Sequence, residues 1–305
     1  MDFKKIFEDR GLSKYSIATY ISQWNVIKDL FDITGDNIKS LHNPEKVYEM
    51  LKTITSSINS IKTKLSIIVV YLRIYEVKEH IILKYKELID TLNNTLNKES
   101  DKHEKTMKQS DGWLSDDEKI EIISQLNQRV PTRIKTLKDL ASMRNLVLFL
   151  LQQDLNTRNE LAESKIITMT PKKIKTLSIE SNWIVLSKDS IKYVINIYKT
   201  SKYGGQDIQD VNSNLLPILK KYQRYLKKFN CEWLFNTDDG SDKLTRNNYG
   251  KIYTKIGETT IGKHITTTIN RHEDASEDID IIEKLQAKAK RAGHSLSMHL
   301  KYAKK

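Results

Sequence analysis

Residues 183–199 read Trp-Ile-Val-Leu-Ser-Lys-Asp-Ser-Ile-Lys-Tyr-Val-Ile-Asn-Ile-Tyr-Lys, and this stretch decides the predicted fold class. Its first four residues are apolar, and from 191 to 198 apolar and polar side chains largely alternate, which is the period of a β-strand. Lys-Asp-Ser at 188–190 is a turn signal between the two runs. The pattern predicts two paired strands, and helical patterns surround them. The predicted class is therefore mainly α with a small antiparallel β-sheet.

Upstream of these strands, apolar residues recur three or four positions apart, as they do on one face of a helix. Ser, or Asn followed by Pro, stands before three of these patterns and provides an N-cap signal. Four helices of this kind predict a small bundle. The patterns are 17–31 after Ser13, a helix opened by Asn43-Pro44, 61–72 after Ser60, and 81–96.

A polar and charged segment, 98–112, interrupts the helical patterns and predicts an interdomain linker. We therefore expect a helical domain over 1–100, a linker over 101–112 and a second domain over 113–305. Helix signals return after the linker. They are Ser115 before acidic residues, the apolar run 137–152, and 215–229 with Pro217 in its first turn.

Composition restricts the class of protein. The 305 residues are 38% hydrophobic and 30% charged, with 10 Gly and 4 Pro, which indicates a folded core and argues against disorder. The longest strongly apolar run, 146–151, is far shorter than a membrane span, and the first residues contain no apolar signal core. Cys231 is the single cysteine, which fits a reducing compartment. We expect an intracellular protein that is neither secreted nor bound to a membrane.

Net charge indicates a class of partner. Lys and Arg number 51 against 39 Asp and Glu, which gives +12 at pH 7. Such an excess favours a polyanion, most simply nucleic acid, because binding releases condensed counterions. A lysine-rich surface that only maintains solubility is the alternative, and charge alone does not separate the two.

Five polar residues of the second half can supply the chemistry of phosphodiester cleavage. A tyrosine hydroxyl can attack phosphorus, but its ordinary pKa is about 10, so nearby cations or a base must help it lose its proton. The planar guanidinium group of arginine can donate two hydrogen bonds to the non-bridging oxygens of one phosphate. A lysine can protonate the leaving 5′ oxygen. The residues are Arg158, Lys199, Arg271, His294 and Tyr302.

The order of these residues resembles the tyrosine recombinase/integrase family. The likeness lies in the segment 154–161 around the first arginine, Lys199 at the end of a strand, the second arginine in 266–272, and a Gly-His-Ser turn at 293–295 before the last tyrosine. Leu12 to Tyr20 also resembles the opening helix of that family's core-binding domain. The resemblance spans residues 10 to 305 and is nearest to versions in large DNA viruses, their satellites and related mobile elements. It implies that the helical domain, 1–100, is a DNA-binding, core-binding-like domain and that 113–305 is an α+β catalytic domain.

The resemblance implies a role for each residue. Arg158 and Arg271 would clamp the scissile phosphate, and His294 would donate a hydrogen bond to it. Lys199 would protonate the leaving 5′ oxygen. Tyr302 would attack and form a 3′-phosphotyrosine bond. Each residue also has a structural alternative, such as a surface salt bridge or a helix cap.

Two positions depart from the family pattern. Thr268 stands where the family has a histidine, and His294 precedes the tyrosine by eight residues where the family more often shows nine. Threonine donates a hydrogen bond but does not exchange protons near neutral pH. The possible accessory residues are Glu160, Thr268, His264 and His272. The candidate phosphate contacts are Lys62, Lys64, Lys172, Lys173 and Arg246.

The predicted function is site-specific recombination of double-stranded DNA, with no cofactor. The sequence contains neither paired Cys or His ligand spacings nor a P-loop, so we expect neither a metal nor ATP. The resemblance implies a homo-tetramer assembled on DNA in the nucleus or cytoplasm of a host cell, or in a virion. The alternatives are a type IB topoisomerase-like relaxing enzyme, a catalytically weakened DNA-binding derivative, and a structural helical protein.

Overall fold

The computed structural model describes residues 3–35, 37–100, 104–198, 204–293 and 295. The chain divides into two compact units, Met1–Glu104 and Lys105–Lys305, called here the N-terminal unit and the C-terminal unit. Within the described ranges, no helix combines the length and the apolar character needed to cross a membrane.

The N-terminal unit is helical, and two of its helices begin at predicted caps. Ser13 Oγ accepts a hydrogen bond from the Ser16 N–H at 3.2 Å, and Asn43 Oδ1 accepts one from the Lys46 N–H at 3.0 Å. Both predictions are confirmed, because a cap depends on residues within one turn of it. The helices are α1 Phe3–Asp9, α2 Lys14–Leu30, α3 Pro44–Ile54, α4 Ile58–Ile74 and α5 Glu79–Ser100, with a 3₁₀ turn at Lys39–His42.

The predicted cap at Ser60 is wrong. α4 begins at Ile58, and its cap is Ser57, whose Oγ accepts from the Ser60 N–H at 3.3 Å. Both serines precede apolar residues, so local spacing permits either start. Ile58 packs against the core of the unit, and its burial favours the longer helix.

The core of the N-terminal unit is rich in aromatic rings. Trp24 of α2 stacks on Tyr71 of α4, with 3.8 Å between the ring centroids and 6° between the planes. Phe3 and Phe7 meet Tyr71 edge-on, with centroids 4.6 Å and 5.7 Å away. Such pairs add about 0.5–1.5 kcal/mol each to the free energy of apolar burial. Packing of apolar surface therefore stabilises this unit.

The C-terminal unit has a buried central helix, α8, as the apolar run 137–152 predicts. Helices α7, α9 and α10 and the last strand of the sheet all contact α8. Ser115 caps α7 in a capping box with Glu118, which confirms that start signal. Part of the segment predicted as a linker, Met107–Gly112, is helical. The helices are α6 Met107–Gly112, α7 Asp116–Arg129, α8 Leu137–Leu155, α9 Leu216–Lys228, α10 Arg246–Thr260, α11 Thr267–Glu277 and α12 Ile279–Arg291.

A four-stranded sheet lies between α8 and α9 in the sequence, with the strands in the order β1-β2-β3-β4. β2 and β3 form the predicted antiparallel pair, in which Ile184 is opposite Tyr193. β1 pairs with β2 in parallel, so the sheet is mixed, and the predicted class of mainly α with a small sheet is confirmed. The strands are β1 Ser164–Thr168, β2 Asn182–Leu186, β3 Ile191–Ile195 and β4 Asp207–Val211.

Candidate active site

The first predicted arginine follows the end of the buried helix α8. Asn156 ends that helix with φ 46°, in the left-handed region that asparagine enters more readily than most residues. Its N–H donates to the Gln152 carbonyl at 3.1 Å, so the last turn is closed before the chain changes direction. Arg158 comes two residues later, exposed, just before a 3₁₀ turn over Asn159–Glu163.

The second predicted arginine lies on α11. Thr266 caps that helix by accepting a hydrogen bond from the Ile269 N–H at 3.2 Å, and Arg271 follows in the second turn, half-buried. The start of α11 packs tightly against the end of α6. A Cβ added to Gly112 would lie 2.6 Å from Ile269 Cδ1. This contact fixes the entry into the helix that carries Arg271.

Both arginines line one cavity of about 420 Å³. Glu160, which the sequence predicts as an accessory residue, lines it too. The structure therefore brings Arg271 together with Arg158 and Glu160, which lie more than a hundred residues earlier in the sequence. The other described lining residues are Asn156, Thr157, Ile195, Tyr198, Gly204, Gln206, Asp207 and Gln209.

Charge in this cavity is mixed. Arg158 and Arg271 are cations, whereas Glu160 and Asp207 bring carboxylates. Asp207 lies in β4, and its Oδ2 accepts a hydrogen bond from Gln209 Nε2 at 2.9 Å. Two guanidinium groups at one cavity can donate paired hydrogen bonds to an oxyanion, and the carboxylates can orient those groups. The arrangement suits a phosphate group bound by arginine.

Hydrogen bonds from the interior fix the backbone next to Arg158. Gln152 is fully buried, and its Nε2 donates to the Thr157 carbonyl at 2.8 Å. Tyr249 OH donates to Gln152 Oε1 at 3.1 Å. Burial raises the pKa of the Tyr249 phenol well above its usual value, so this hydroxyl stays a donor. The backbone next to Arg158 is therefore fixed by a hydrogen bond from a neutral, buried side chain.

A second contact joins the 3₁₀ turn to α11. Thr267 Oγ1 donates to Asn159 Oδ1 at 2.8 Å, and Asn159 Nδ2 donates to the Arg246 carbonyl at 2.9 Å. Asn156 Nδ2 also donates to Asp274 Oδ1 at 2.7 Å. The segment that carries Arg158 and the helix that carries Arg271 are thus linked directly. No motif in the sequence marks these asparagines, although a polar residue directly after a buried helix is a signal for Asn156.

Glu273, two residues after Arg271, is a buried residue of α11. Its Oε1 accepts a hydrogen bond from the Leu114 N–H at 2.6 Å, and Lys119 Nζ lies 4.0 Å from Oε2. Burial raises the pKa of this carboxyl, and the Leu114 and Lys119 contacts oppose that shift. Glu273 therefore ties the start of the C-terminal unit to the helix of the second arginine.

Three accessory candidates lie near the site in the sequence but do not line the cavity in the described structure. Thr268 and His272 are exposed on α11. His264 is exposed, and its Nδ1 lies 2.8 Å from Glu258 Oε1, so this imidazole already has a carboxylate partner. Three predicted catalytic residues lie outside the described residues. They are Lys199, His294 and Tyr302.

The candidate phosphate contacts differ in accessibility. Lys172 and Lys173 are exposed on a 3₁₀ turn over Pro171–Thr176, and Lys62 is half-buried on α4. Lys64 is only 9% exposed, and its ammonium donates to Ser60 Oγ at 3.1 Å, so it is poorly placed for a phosphate in this conformation. Arg246 Nε lies 3.2 Å from Glu163 Oε2 and already forms an ion pair. Exposure therefore favours the two lysines of the 3₁₀ turn.

No three His, Cys, Asp or Glu side chains in the described part of the chain lie close enough together to hold a metal ion. Neither a family model nor a curated protein sequence matches the chain. A solved structure, the crystal structure of XerA recombinase, is similar over 91% of this chain and 82% of its own, with a TM-score of 0.37 and 13% identity. A likeness at this level does not assign the chain to a family.

Proposed function

We propose that this protein cuts and rejoins double-stranded DNA through a covalent tyrosine intermediate. One observation carries the proposal: Arg158 and Arg271 line the same cavity, as a two-arginine phosphate clamp requires. Tyr198, the residue before Lys199 in the sequence, lines that cavity as well. The order of residues in the sequence supports the same chemistry, and the net charge of +12 supports a polyanionic partner.

In the proposed reaction, the Tyr302 phenol oxygen attacks phosphorus and gives up its proton to solvent water. A bond forms between that oxygen and phosphorus, while the bond from phosphorus to the 5′ oxygen breaks. Lys199 supplies a proton to the departing 5′ oxygen, and His294 donates a hydrogen bond to the phosphate. Arg158 and Arg271 stabilise the charge that builds on the non-bridging oxygens.

The 3′-phosphotyrosine bond conserves the energy of the broken phosphodiester. A 5′ hydroxyl from another strand can therefore displace the tyrosine and rejoin the DNA without ATP or a metal ion. Exchange between two duplexes requires several active sites at once, so the proposal includes assembly into a tetramer on DNA inside a host cell or virion. The helical segment 1–100 would act as a second DNA-binding domain.

One observation favours a second candidate, a DNA-binding protein derived from such an enzyme that no longer transfers strands. Thr268 replaces the histidine that the resemblance requires, and in the described structure it is exposed and does not line the cavity. The proton-transfer role of that histidine would then have no replacement. Binding to DNA without a covalent product is the outcome that identifies this candidate.

The deciding experiment uses nicked duplexes with randomised cores, selected first for binding to the protein. In the enzyme, bound duplexes should yield a protein–DNA adduct that survives denaturation, because the short fragment beyond the nick diffuses away. Tyr302→Phe should bind the same duplexes and form no adduct. Tyr225→Phe removes a hydroxyl from a half-buried tyrosine of α9 that is not among the described residues lining the cavity, and it should keep the adduct.

Binding without any adduct would contradict strand transfer and support the DNA-binding derivative. An adduct that persists in Tyr302→Phe would show that the nucleophile has been assigned to the wrong residue. Supercoil relaxation without a recombinant product would indicate the topoisomerase-like alternative. Weak binding that does not change with salt would indicate a structural protein.

A further inference from the structure

Three backbone segments meet at the cavity, and the sequence gives no sign of what joins them. The first contains Arg158 and Glu160, the second ends β3 and continues to Tyr198, and the third is the part of α11 around Arg271. Two buried asparagines, Asn270 and Asn182, form hydrogen bonds across the junctions between these segments.

Asn270 is the residue before Arg271 and is 4% exposed. Its Nδ2 donates to the Gln152 carbonyl at 3.2 Å and to Asn156 Oδ1. Its Oδ1 accepts from Gln153 Nε2 at 2.6 Å and from Tyr253 OH at 3.1 Å. Every polar atom of this amide is therefore used, and four bonds tie α11 to the end of α8 and to α10.

Asn182 begins β2 and is 1% exposed. Its Oδ1 accepts from the N–H groups of Asn196 and Ile197, both at 2.8 Å. Its Nδ2 donates to the Ile197 carbonyl at 3.1 Å and to the Glu160 carbonyl at 3.4 Å. This amide therefore joins the end of β3 to the segment that carries Arg158.

We propose that Asn182 and Asn270 are positioning residues, which hold the Arg158–Glu160 segment between the end of β3 and the helix of Arg271. The inference rests on the proposed function and adds to it the device that sets the spacing of its phosphate clamp. Neither asparagine touches the phosphate. Asn182 acts through the Glu160 carbonyl, whereas Asn270 acts through the Asn156 side chain and through its position next to Arg271 in α11.

The chemistry of the amide explains why asparagine occupies both positions. An amide has two N–H donors and an oxygen with two lone pairs, so one side chain can satisfy donors and acceptors from two chains at once. Aspartate would keep the acceptors and lose the donors, whereas leucine would fill the space and bind neither chain. A buried polar group that loses its partner is destabilising, so the bonded geometry is preferred over neighbouring ones.

The first measurement compares Asn270→Asp, Asn182→Asp and a control, Asn236→Asp. Asn236 is also 4% exposed, but its Nδ2 bonds to the Trp233 carbonyl at 2.7 Å, and neither residue lines the cavity. Asn182→Asp keeps the acceptor for Asn196 and Ile197 and removes the donor to Glu160. Each variant is assayed at a temperature where circular dichroism shows it folded. An Asn270 variant that does not fold leaves Asn182→Asp as the test.

The second measurement reads the clamp without any reaction. Inorganic phosphate is titrated into the full chain while the side-chain Nε–H resonances of Arg158 and Arg271 are followed by NMR, assigned with Arg→Lys variants. In the wild type the two resonances should shift together with one dissociation constant. In Asn270→Asp and Asn182→Asp they should shift separately and more weakly, whereas Asn236→Asp should match the wild type.

Adduct formation should fall by about 100-fold in Asn182→Asp and Asn270→Asp, which is the effect expected of a small misplacement of binding groups. The affinity for DNA should be nearly unchanged. The inference is overturned if the two arginine resonances report the same shared phosphate dissociation constant in all three variants and the wild type. It is also overturned if the two resonances respond independently in the wild type. An absent adduct in the wild type contradicts the proposed function alone, because the titration still decides what the asparagines do.

Discussion

The aromatic core of the N-terminal unit and the polar network beneath the cavity of the C-terminal unit use opposite means to order a buried region. Around Tyr71, rings of Trp24, Phe3 and Phe7 pack by contact. Around Gln152 and its neighbours, amides and hydroxyls pair atom by atom. Tyr71 and Gln152, at the centres of the two regions, are both fully buried, so burial does not distinguish them.

The difference lies in directionality. Apolar contact rewards any arrangement that fills the space, so it stabilises strongly and fixes orientation loosely. A buried hydrogen bond contributes only about 0.5–1.5 kcal/mol net, but it leaves unpaired groups if the geometry shifts. The network is therefore suited to a place where two arginines must keep a fixed separation, and the aromatic core to a place where only stability is required.

Trp24→Ala should have the largest effect. It removes the ring that stacks on Tyr71, and a buried Trp→Ala change costs about 3–5 kcal/mol. Amide hydrogen exchange should show protection of α2 and α4 reduced by that amount, with α8 as the internal control. Trp24→Phe, which keeps a ring, should lose much less. Equal losses for the two variants would mean that the core is not stabilised by ring volume.

Gln152→Leu should cost about 2–4 kcal/mol, although leucine is apolar and similar in size. The Thr157 carbonyl and the Tyr249 hydroxyl each lose a partner, and every orphaned buried group costs ~1–3 kcal/mol. Urea unfolding measures this loss. The adjacent Leu151→Met, a volume-conserving change in the same helix, is the control and should lose under ~1.5 kcal/mol. A tolerated leucine at 152 would show that the network behaves like an ordinary apolar core.

Glu273→Gln should show a smaller, pH-dependent effect. Burial raises the pKa of the Glu273 carboxyl, so the folded state binds that proton more tightly than the unfolded chain. Its contribution to stability is therefore fully present at low pH and is lost as pH rises through the raised pKa. Glutamine carries no such proton and keeps an oxygen for the Leu114 N–H. The stability of the variant relative to wild type should rise as the pH increases above about 4, the ordinary pKa of a glutamate in the unfolded chain.

Denaturant unfolding at a series of pH values from about 4 upward measures the free energy of unfolding of the variant and the wild type. Glu277→Gln, an exposed change on the same helix, supplies the control. A relative stability of Glu273→Gln that falls with pH would mean that the Leu114 and Lys119 contacts outweigh burial.

Tyr71→Phe should have the smallest effect, within about 0.5 kcal/mol of zero or slightly stabilising. Among the residues that the structure describes, the buried Tyr71 hydroxyl has no hydrogen-bond partner, and burial raises the pKa of the phenol. Removal of the hydroxyl leaves the stacked ring in place and eliminates the cost of burying a polar group without a hydrogen bond. Tyr85→Phe is the matched comparison, because the Tyr85 hydroxyl donates to the Leu41 carbonyl at 2.8 Å. Its removal should lower the free energy of unfolding. A larger loss at Tyr71 than at Tyr85 would contradict this account.

Local signals explain why much of the fold could be predicted. Ser13, Asn43 and Ser115 cap helices as expected, because a cap is decided within one turn. The hairpin β2–β3 was predicted from strand alternation over adjacent residues. Ser60 was wrong as a cap since the burial of Ile58, a tertiary contact, decides where α4 begins.

The candidate site divides along the same line. Arg158, Arg271 and Glu160 could be selected from residue type and order, and the structure places all three at one cavity. Their catalytic roles stay predictions. Asn182 and Asn270 could not be selected, because a buried asparagine and an exposed one look the same in a sequence.

The sequence by itself determined the periodicity of the helices, the caps, the central hairpin and the chemical types available for a phosphate site, since each depends on neighbours along the chain. Only the tertiary structure decided the parallel pairing of β1 with β2 and the meeting of two distant arginines at one cavity. It also decided which asparagines lie inside. These features depend on hydrogen bonds between distant segments, whose partners are defined only when burial removes water as the competing donor and acceptor.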